Sequence, residues 1–310
     1  MLINLITGGP GPEREGSLAS GRDVKRALES LGHKVVVFDL VSPKFLTEVH
    51  DCDVAFLTTH GWFGEDGKLQ GALDILGIPY LGSGSLASAT AMYKPATLRL
   101  AHLLGIPHPR WRLLEAGPVK SETTGEIYDE LEPCIFIKPA SGGGSIGAGI
   151  AQSAAKLASM IATTQRDQPC VVSEYIRGTD VTVGILEING ELCCLPPLAT
   201  YYDAPFYDYD VKHTTHLRRH ECPAAIPRET AKRLEHHSRK LFQMLLCRGF
   251  ARFDYIVDRQ GREWFLEANT LPGLSEAGNF ATMAASYGMS YSQLIDTMLE
   301  TSSAALSYQP

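Results

Sequence analysis

Two carboxylates and an amide stand close together near the end of the chain, in ARFDYIVDRQGREWFLEANT, residues 251–270. Two β-like runs flank the turn signal Asp-Arg-Gln-Gly, which marks a hairpin. Strand side chains alternate faces with period two, so Arg252 and Asp254 share a face, as do Glu267 and Asn269. A hairpin centred between Gln260 and Gly261 sets Arg252 across from Asn269 and Asp254 across from Glu267; a bulge would shift this register. Carboxylates placed so close repel unless a cation lies between them. Oxygen donors of this kind suit Mg²⁺, which binds through one or two carboxylates plus substrate phosphates. A solvated polar face with a cross-strand ion pair accounts for the same residues equally well. The Pro272-Gly273 break directly after them favours a site, because loops beyond strand ends commonly carry function.

A lysine delivered by a strand into a glycine run is the second feature: IFIKPASGGGSIG, residues 135–147. Glycines let backbone N–H groups approach phosphate oxygens, and Lys138 supplies charge. No Gly-Lys-Ser/Thr ends the run, so it is not a Walker A loop, and a flexible linker is the competing explanation. GGPGPEREGS, residues 8–17, follows a strand and opens a helix, where anions are favoured. It fails the dinucleotide fingerprint, because Pro10 and Glu13 interrupt it. Glu13 would repel a pyrophosphate but could receive an ammonium group; a helix-start glutamate is the plain alternative. His60 ends an apolar strand in THGWFGEDG; a lone histidine is more often structural. His213, His216 and His220 have helical metal spacing, yet Lys212, Arg218 and Arg219 flank them, which suits a phosphate-facing or solvated loop better than zinc.

These features need a scaffold, and the chain supplies an alternating one. Ile3–Thr7 reads as a strand, a helix is expected over about 17–31, and KVVVFDL and DVAFLTTH read as further strands. This βαβ rhythm implies a parallel sheet. A boundary is placed near Gly84, giving divisions at 1–84, 85–184 and 185–310. The last carries a polar aromatic loop through HTTHLRRH, a helix over about 228–246, the hairpin and a final helix. The chain has 310 residues and a formal net charge of -7, which argues against a nucleic-acid footprint. No apolar run approaches the ~20 residues a bilayer crossing needs, and MLINLITGG reads as a first strand rather than a leader. Seven scattered cysteines without a C-x-x-C pair argue against a disulfide framework, so a reducing, cytoplasmic setting is expected.

Taken in order, these motifs resemble the D-alanine-D-alanine ligase family of ATP-grasp enzymes. GGPGPEREGSLASG, HGWFGEDGKLQGALDILGIPYLGSGSLASATAMYK, IKPASGGGSIG, EYIRGTDVTVGIL, FYDYDVKH, ARFDY and FLEANTLPG carry the resemblance nearly end to end. It implies an α/β fold of three domains, an N-terminal parallel βαβ unit and two antiparallel sheets with ATP between them. It implies an ATP-dependent carboxylate–amine ligase working through an acyl phosphate. By similarity, Lys94, Lys138 and Ser145 contact phosphates, and Lys212 reaches the γ-phosphate from a mobile loop. Tyr175 and Ile176 lie near adenine, Asp180 takes the ribose contact, and Leu266 also belongs to the ATP site. Asp254, Glu267 and Asn269 hold Mg²⁺, usually two ions, with Mn²⁺ a substitute. Glu13 receives the first amino acid's ammonium with His60 nearby, and Arg252 and the Gly273 N–H stabilise the oxyanion. The family suggests a homodimer acting on small amino acids, with neither nucleic acid nor membrane as partner.

Three departures surround the substrate cavity. Gly144 stands where the family has a serine, and His213 follows Lys212 where the family has tyrosine. After FLEANTLPG, the stretch LSEAGNF lacks the Ser-Leu pair that holds the acceptor's carboxylate; Ser275 or Asn279 is the available substitute. A site that loses a hydrogen-bond donor loses the preference it enforced. A ligase joining an amino acid to a different amine is therefore the alternative. A non-catalytic nucleotide- or amino-acid-binding protein would need a broken metal site or missing lysines, and neither is seen.

Overall fold

The computed structural model describes residues 1–50, 52–117, 119, 121–164 and 168–305; the side chains of 121, 213, 215 and 302–305 also lie outside the description. The first layer holds β1 (Leu2–Thr7), α1 (Arg14–Ser30), β2 (Lys34–Asp39), α2 (Phe45–Glu48), β3 (Val54–Leu57) and α3 (Lys68–Leu76). The strands pair in parallel in the order β2-β1-β3. Ile3, Leu5 and Ile6 of β1 are fully buried, as expected for the central strand of a parallel sheet covered on both faces. α1 begins three residues earlier than its periodicity suggested and turns Val24, Ala27 and Leu28 inward.

Two helices, α4 (Ser85–Met92) and α5 (Lys94–Leu103), lead into the second layer. That layer comprises β4 (Trp111–Leu114), α6 (Ser121–Leu131), β5 (Ile135–Pro139), β6 (Gly149–Ala151), α7 (Ala154–Thr164) and β7 (Cys170–Glu174). Its antiparallel sheet runs β4-β7-β5-β6. Next come β8 (Gly178–Ile188), β9 (Glu191–Cys194), β10 (Leu198–Tyr202), α8 (Tyr209–His213), β11 (Arg218–Glu221) and α9 (Arg228–Met244). The chain ends with β12 (Phe250–Asp258), β13 (Glu263–Asn269), α10 (Asn279–Tyr287) and α11 (Tyr291–Ala305). The second antiparallel sheet is ordered β11-β10-β8-β12-β13, with β9 beside β8.

Two sequence readings change here. β8 pairs with β12 from Gly178 to Leu186, so a division at 184 cuts a strand and the change of sheet falls before Gly178. Arg218–Glu221 is a strand, not loop: it pairs with β10, and the Arg219 guanidinium lies 4.4 Å from the Tyr201 ring centroid, supporting the pairing from the side chains. The last helices do not close the core of their own region alone. Phe280, Leu294 and Met298 share a cluster with Ile3, Leu28 and Leu73 of the first layer. Burying side chains of this size stabilises by about 1.5–3 kcal/mol each, which ties the chain's end to its beginning. Among the described residues, no helix is long and apolar enough to cross a membrane.

Candidate active site

The hairpin register is the foundation of the site. β12 and β13 place Arg252 opposite Asn269 and Asp254 opposite Glu267, as the turn position implied. The next pair is Tyr255 with Phe265, so Leu266 is the bulged residue. Its carbonyl accepts a hydrogen bond from Lys138 Nζ at 3.3 Å. Fully buried Phe253, Phe265 and Tyr255 hold the other face, leaving the polar side chains to face a cavity of about 410 Å³. Glu13, His60, Lys94, Lys138, Ser145, Tyr175, Ile176, Asp180, Lys212, Arg252, Asp254, Leu266, Glu267, Asn269, Gly273, Ser275 and Asn279 all line this cavity. His213 is in α8, but its side chain lies outside the described residues.

One end of the cavity is dense in charge. Glu267 Oε2 lies 3.5 Å from Lys138 Nζ and 3.8 Å from Lys94 Nζ. Burial alone would raise the Glu267 carboxyl, but Lys138, Lys94, Lys212 and Arg252 outweigh it and hold it well below the usual range. Lys94 Nζ also donates to the Gly142 carbonyl at 2.5 Å, and burial draws its ammonium down. Arg252 clasps Asp254 with Nε and Nη2, at 2.9 Å for Nη2. Thr182 Oγ1 donates to the same carboxylate.

Glu65, whose place in GEDG gives no sign of a task in the sequence, is buried beneath this end. Its Oε1 accepts from Asn269 Nδ2 at 3.2 Å and its Oε2 from the Gly61 N–H at 3.1 Å. The Asn269 amide nitrogen therefore faces Glu65, and its oxygen faces the other way. That oxygen takes one bond, from the Leu271 N–H at 2.8 Å, and keeps a second lone pair. Asp254, Glu267 and Asn269 thus form a hard-oxygen donor set that fits Mg²⁺. Among the described residues there is no group of three or more His, Cys, Asp and Glu side chains suited to a metal, so phosphate oxygens would have to complete the shell.

The glycine loop closes over this end. Gly142, Gly144 and Gly147 have φ of 106°, 65° and 72°, where L side chains are disfavoured. Ser145 shares that conformation at φ 59°, a strained state for serine, and its Oγ donates to the Tyr207 carbonyl at 2.8 Å. A Cβ on Gly143 or Gly144 would lie 2.9 or 3.4 Å from a Glu13 carboxylate oxygen. The departure at 144 therefore packs bare backbone against Glu13. Among the described residues the Glu13 carboxylate has no hydrogen-bond donor, and burial, then Glu65, pushes it up to about 7. His60 Nε2 lies 3.3 Å from Ser20 Oγ, which accepts from the Leu274 N–H.

The far end is aromatic. Phe136 stacks with Tyr175, centroids 6.4 Å apart, and meets Phe206 edge-on at 5.3 Å. Such walls suit a planar base. Asp180 accepts from the Tyr202 hydroxyl, and burial pushes its carboxyl up to about 6. His220 Nδ1 lies 3.1 Å from Thr200 Oγ1, and Arg218 Nε donates to its Nε2.

Comparison with known proteins matches this arrangement from end to end. A profile described as D-ala D-ala ligase C-terminus covers residues 100–300, and one described as D-ala D-ala ligase N-terminus covers 39–83. The chain belongs to the D-alanine–D-alanine ligase family. A D-alanine–D-alanine ligase of Desulforudis audaxviator is 39% identical over 302 residues, 96% of this chain and 97% of that protein. The ATP-complexed D-alanine–D-alanine ligase of Bacillus anthracis superposes with a TM-score of 0.84 at 30% identity, covering 98% of each chain. A D-Ala:D-Ser ligase of Enterococcus faecalis has a TM-score of 0.83 at 26% identity, covering 97% of this chain and 99% of that one. Membership makes the chain an ATP-dependent ligase that forms C–N bonds. The curated relatives reported at 33–39% identity are uniformly D-alanine–D-alanine ligases, which does not favour the altered-acceptor alternative.

Proposed function

We propose that this chain joins D-alanine to D-alanine, converting ATP to ADP and phosphate. One observation carries the reading: a single cavity holds a half-buried carboxylate, Glu13, with no hydrogen-bond donor among the described residues, and a cluster of lysines around a second carboxylate, Glu267. The first can receive an amino acid's ammonium and the second the phosphates of a nucleotide. Asp254, Glu267 and Asn269 would hold Mg²⁺, two ions in this reading with Mn²⁺ a substitute, which offsets the phosphates' charge. Tyr175, Ile176 and Leu266 border the base, and Asp180 the ribose.

Glu13 and His60 orient the donor so that its carboxylate oxygen faces the γ-phosphorus. That oxygen attacks, the bond to ADP breaks, and an acyl phosphate forms. Lys94, Lys138 and Lys212 counter the charge of the transferring group, with Ser145 above it. The acceptor's uncharged amine then attacks the acyl carbon, while Arg252 and the Gly273 N–H steady the oxyanion. The C–O bond breaks, and the departing phosphate takes the amine's proton. Ser275 and Asn279 border the acceptor, and the segment through Lys212 and His213 keeps water from the acyl phosphate. The same reading gives a cytoplasmic homodimer that acts on small amino acids with ATP, with neither nucleic acid nor membrane as partner.

The test is ADP and product formation with D- and L-amino acids, singly and in pairs, with products weighed by mass spectrometry. D-Ala-D-Ala as the major product is expected. Efficient amide formation only with another amine would overturn the acceptor assignment.

A further inference from the structure

We propose that Tyr207 is a positioning residue whose ring fastens the lid segment to the nucleotide cleft. The inference rests on the reading of Ser145 and Lys212 as phosphate-facing groups. Tyr207 lies just before Asp208, the N-cap of α8, whose carboxylate accepts from the Val211 N–H at 2.9 Å. Its ring stacks on Tyr202, with centroids 5.4 Å apart and planes 13° from parallel. The Lys212 ammonium lies 5.1 Å from the same ring's centroid. Its carbonyl accepts from Ser145 Oγ, and Tyr202 in turn donates its hydroxyl to Asp180. One lid residue therefore touches the strained glycine loop, the lysine of α8, and the strand residue that meets the ribose-side carboxylate.

The parts of this joint support one another physically. A ring face attracts an ammonium, so Tyr207 limits where Lys212 can point. Ser145 holds a costly backbone conformation, and the Tyr207 carbonyl is the partner that its hydroxyl finds there. The phenol oxygen makes no hydrogen bond among the described residues, so the ring and the backbone carry the contacts. Phe206, the preceding residue, packs on Phe136 and closes the aromatic wall from the same segment. Removing the ring frees Lys212 and unlatches the segment from Tyr202. Water would then reach the acyl phosphate and cleave it to free amino acid and phosphate, spending ATP without forming an amide.

The experiment compares Tyr207→Leu and Tyr207→Phe with the unaltered enzyme. It measures phosphate released per dipeptide formed, together with kcat and KM for ATP. For Tyr207→Leu, KM for ATP is expected to rise by about tenfold, the scale of a lost desolvated ring–cation contact. The phosphate-to-dipeptide ratio is expected to climb well above that of the unaltered enzyme. Tyr207→Phe keeps the ring and is expected to return both quantities towards the unaltered values, which also separates the effect from misfolding. A Leu variant with unchanged ratio and KM overturns the proposal, and so does a Phe variant as impaired as Leu. Lys212→Met and Ser145→Ala serve as references. If neither alters ATP use, the phosphate-site reading fails; if they do and Tyr207→Leu does not, only the latch fails.

Discussion

The two ends of the cavity are built differently. At the charged end, Lys138, Arg252, Asp254, Glu267 and Asn269 hang from β5, β12 and β13, where strand register fixes their faces, and Lys94 and Lys212 join them from α5 and α8. At the amino-acid end, Glu13, His60, Ser275 and Asn279 come from loops or helix starts, and their neighbours lie far away in sequence. At the charged end, two lysine ammonium groups share one carboxylate. The amino-acid end is shaped by bare backbone at Gly143 and Gly144 packing on Glu13. The first suits chemistry that must recur unchanged, and the second suits a pocket whose preference can be tuned by a few residues.

The sharpest way to break this contrast is at Glu267. Glu267→Gln leaves Lys94 and Lys138 without their shared carboxylate, and ADP formation is expected to fall by about 10²–10³-fold. A fall of less than tenfold in a coupled ADP assay would show that the charged end is not where phosphoryl transfer is stabilised.

The amino-acid end makes a pH prediction. Glu13 is pushed up to about 7, and only its ionised form attracts an ammonium. KM for the donor is therefore expected to fall as pH rises towards about 7 and to level off above it. Glu13→Gln should weaken donor use by about 10–100-fold, the scale of a lost charge-assisted hydrogen bond, and flatten that profile. The stability effect has the opposite sense. A carboxyl raised above its ordinary 4.5 favours the folded state most fully below that pH, and the contribution is lost as pH rises through about 7. Thermal melts of the Gln variant across this window should lack that component.

A smaller effect is expected where the two ends meet. Glu65 reaches Asn269 across 204 residues of sequence and also lies 3.6 Å from His60. Glu65→Gln lets the Asn269 amide turn either way, and Mn²⁺ affinity in the presence of nucleotide, followed by electron paramagnetic resonance, should drop by about 10-fold. Unchanged affinity would separate the two ends and leave Glu65 a local support of the His60 loop.

These regions also differed in how legible they were. The Asp254–Glu267 and Arg252–Asn269 pairs followed from one turn signal and the period of two. The bulge at Leu266 did not, because nothing in the residue type records a carbonyl turned towards Lys138 on another sheet. The loop over residues 142–147, with positive φ at Gly142, Gly144, Ser145 and Gly147, is visible in the sequence as a glycine cluster, but its packing on Glu13 is not. Glu65 and Tyr207 lie within GEDG and FYDYDVKH, where residue type alone points to no task. Their contacts are with Asn269, Tyr202 and Ser145, and only the folded chain brings these together. The strand Arg218–Glu221 is hidden by its charges: Arg219 lies over the Tyr201 ring, while Arg218 lines the cavity and donates to the Val211 carbonyl.

The measurement that bears most directly on the central reading follows one oxygen atom. D-Alanine labelled with ¹⁸O in its carboxylate is turned over with ATP, and the released phosphate is examined by ³¹P resonance or mass spectrometry. If the donor carboxylate attacks the γ-phosphorus, each amide formed should send one labelled oxygen into phosphate. Phosphate without label, released at the same rate as dipeptide, would contradict the acyl-phosphate route and with it the roles given to Glu13 and the lysines around Glu267.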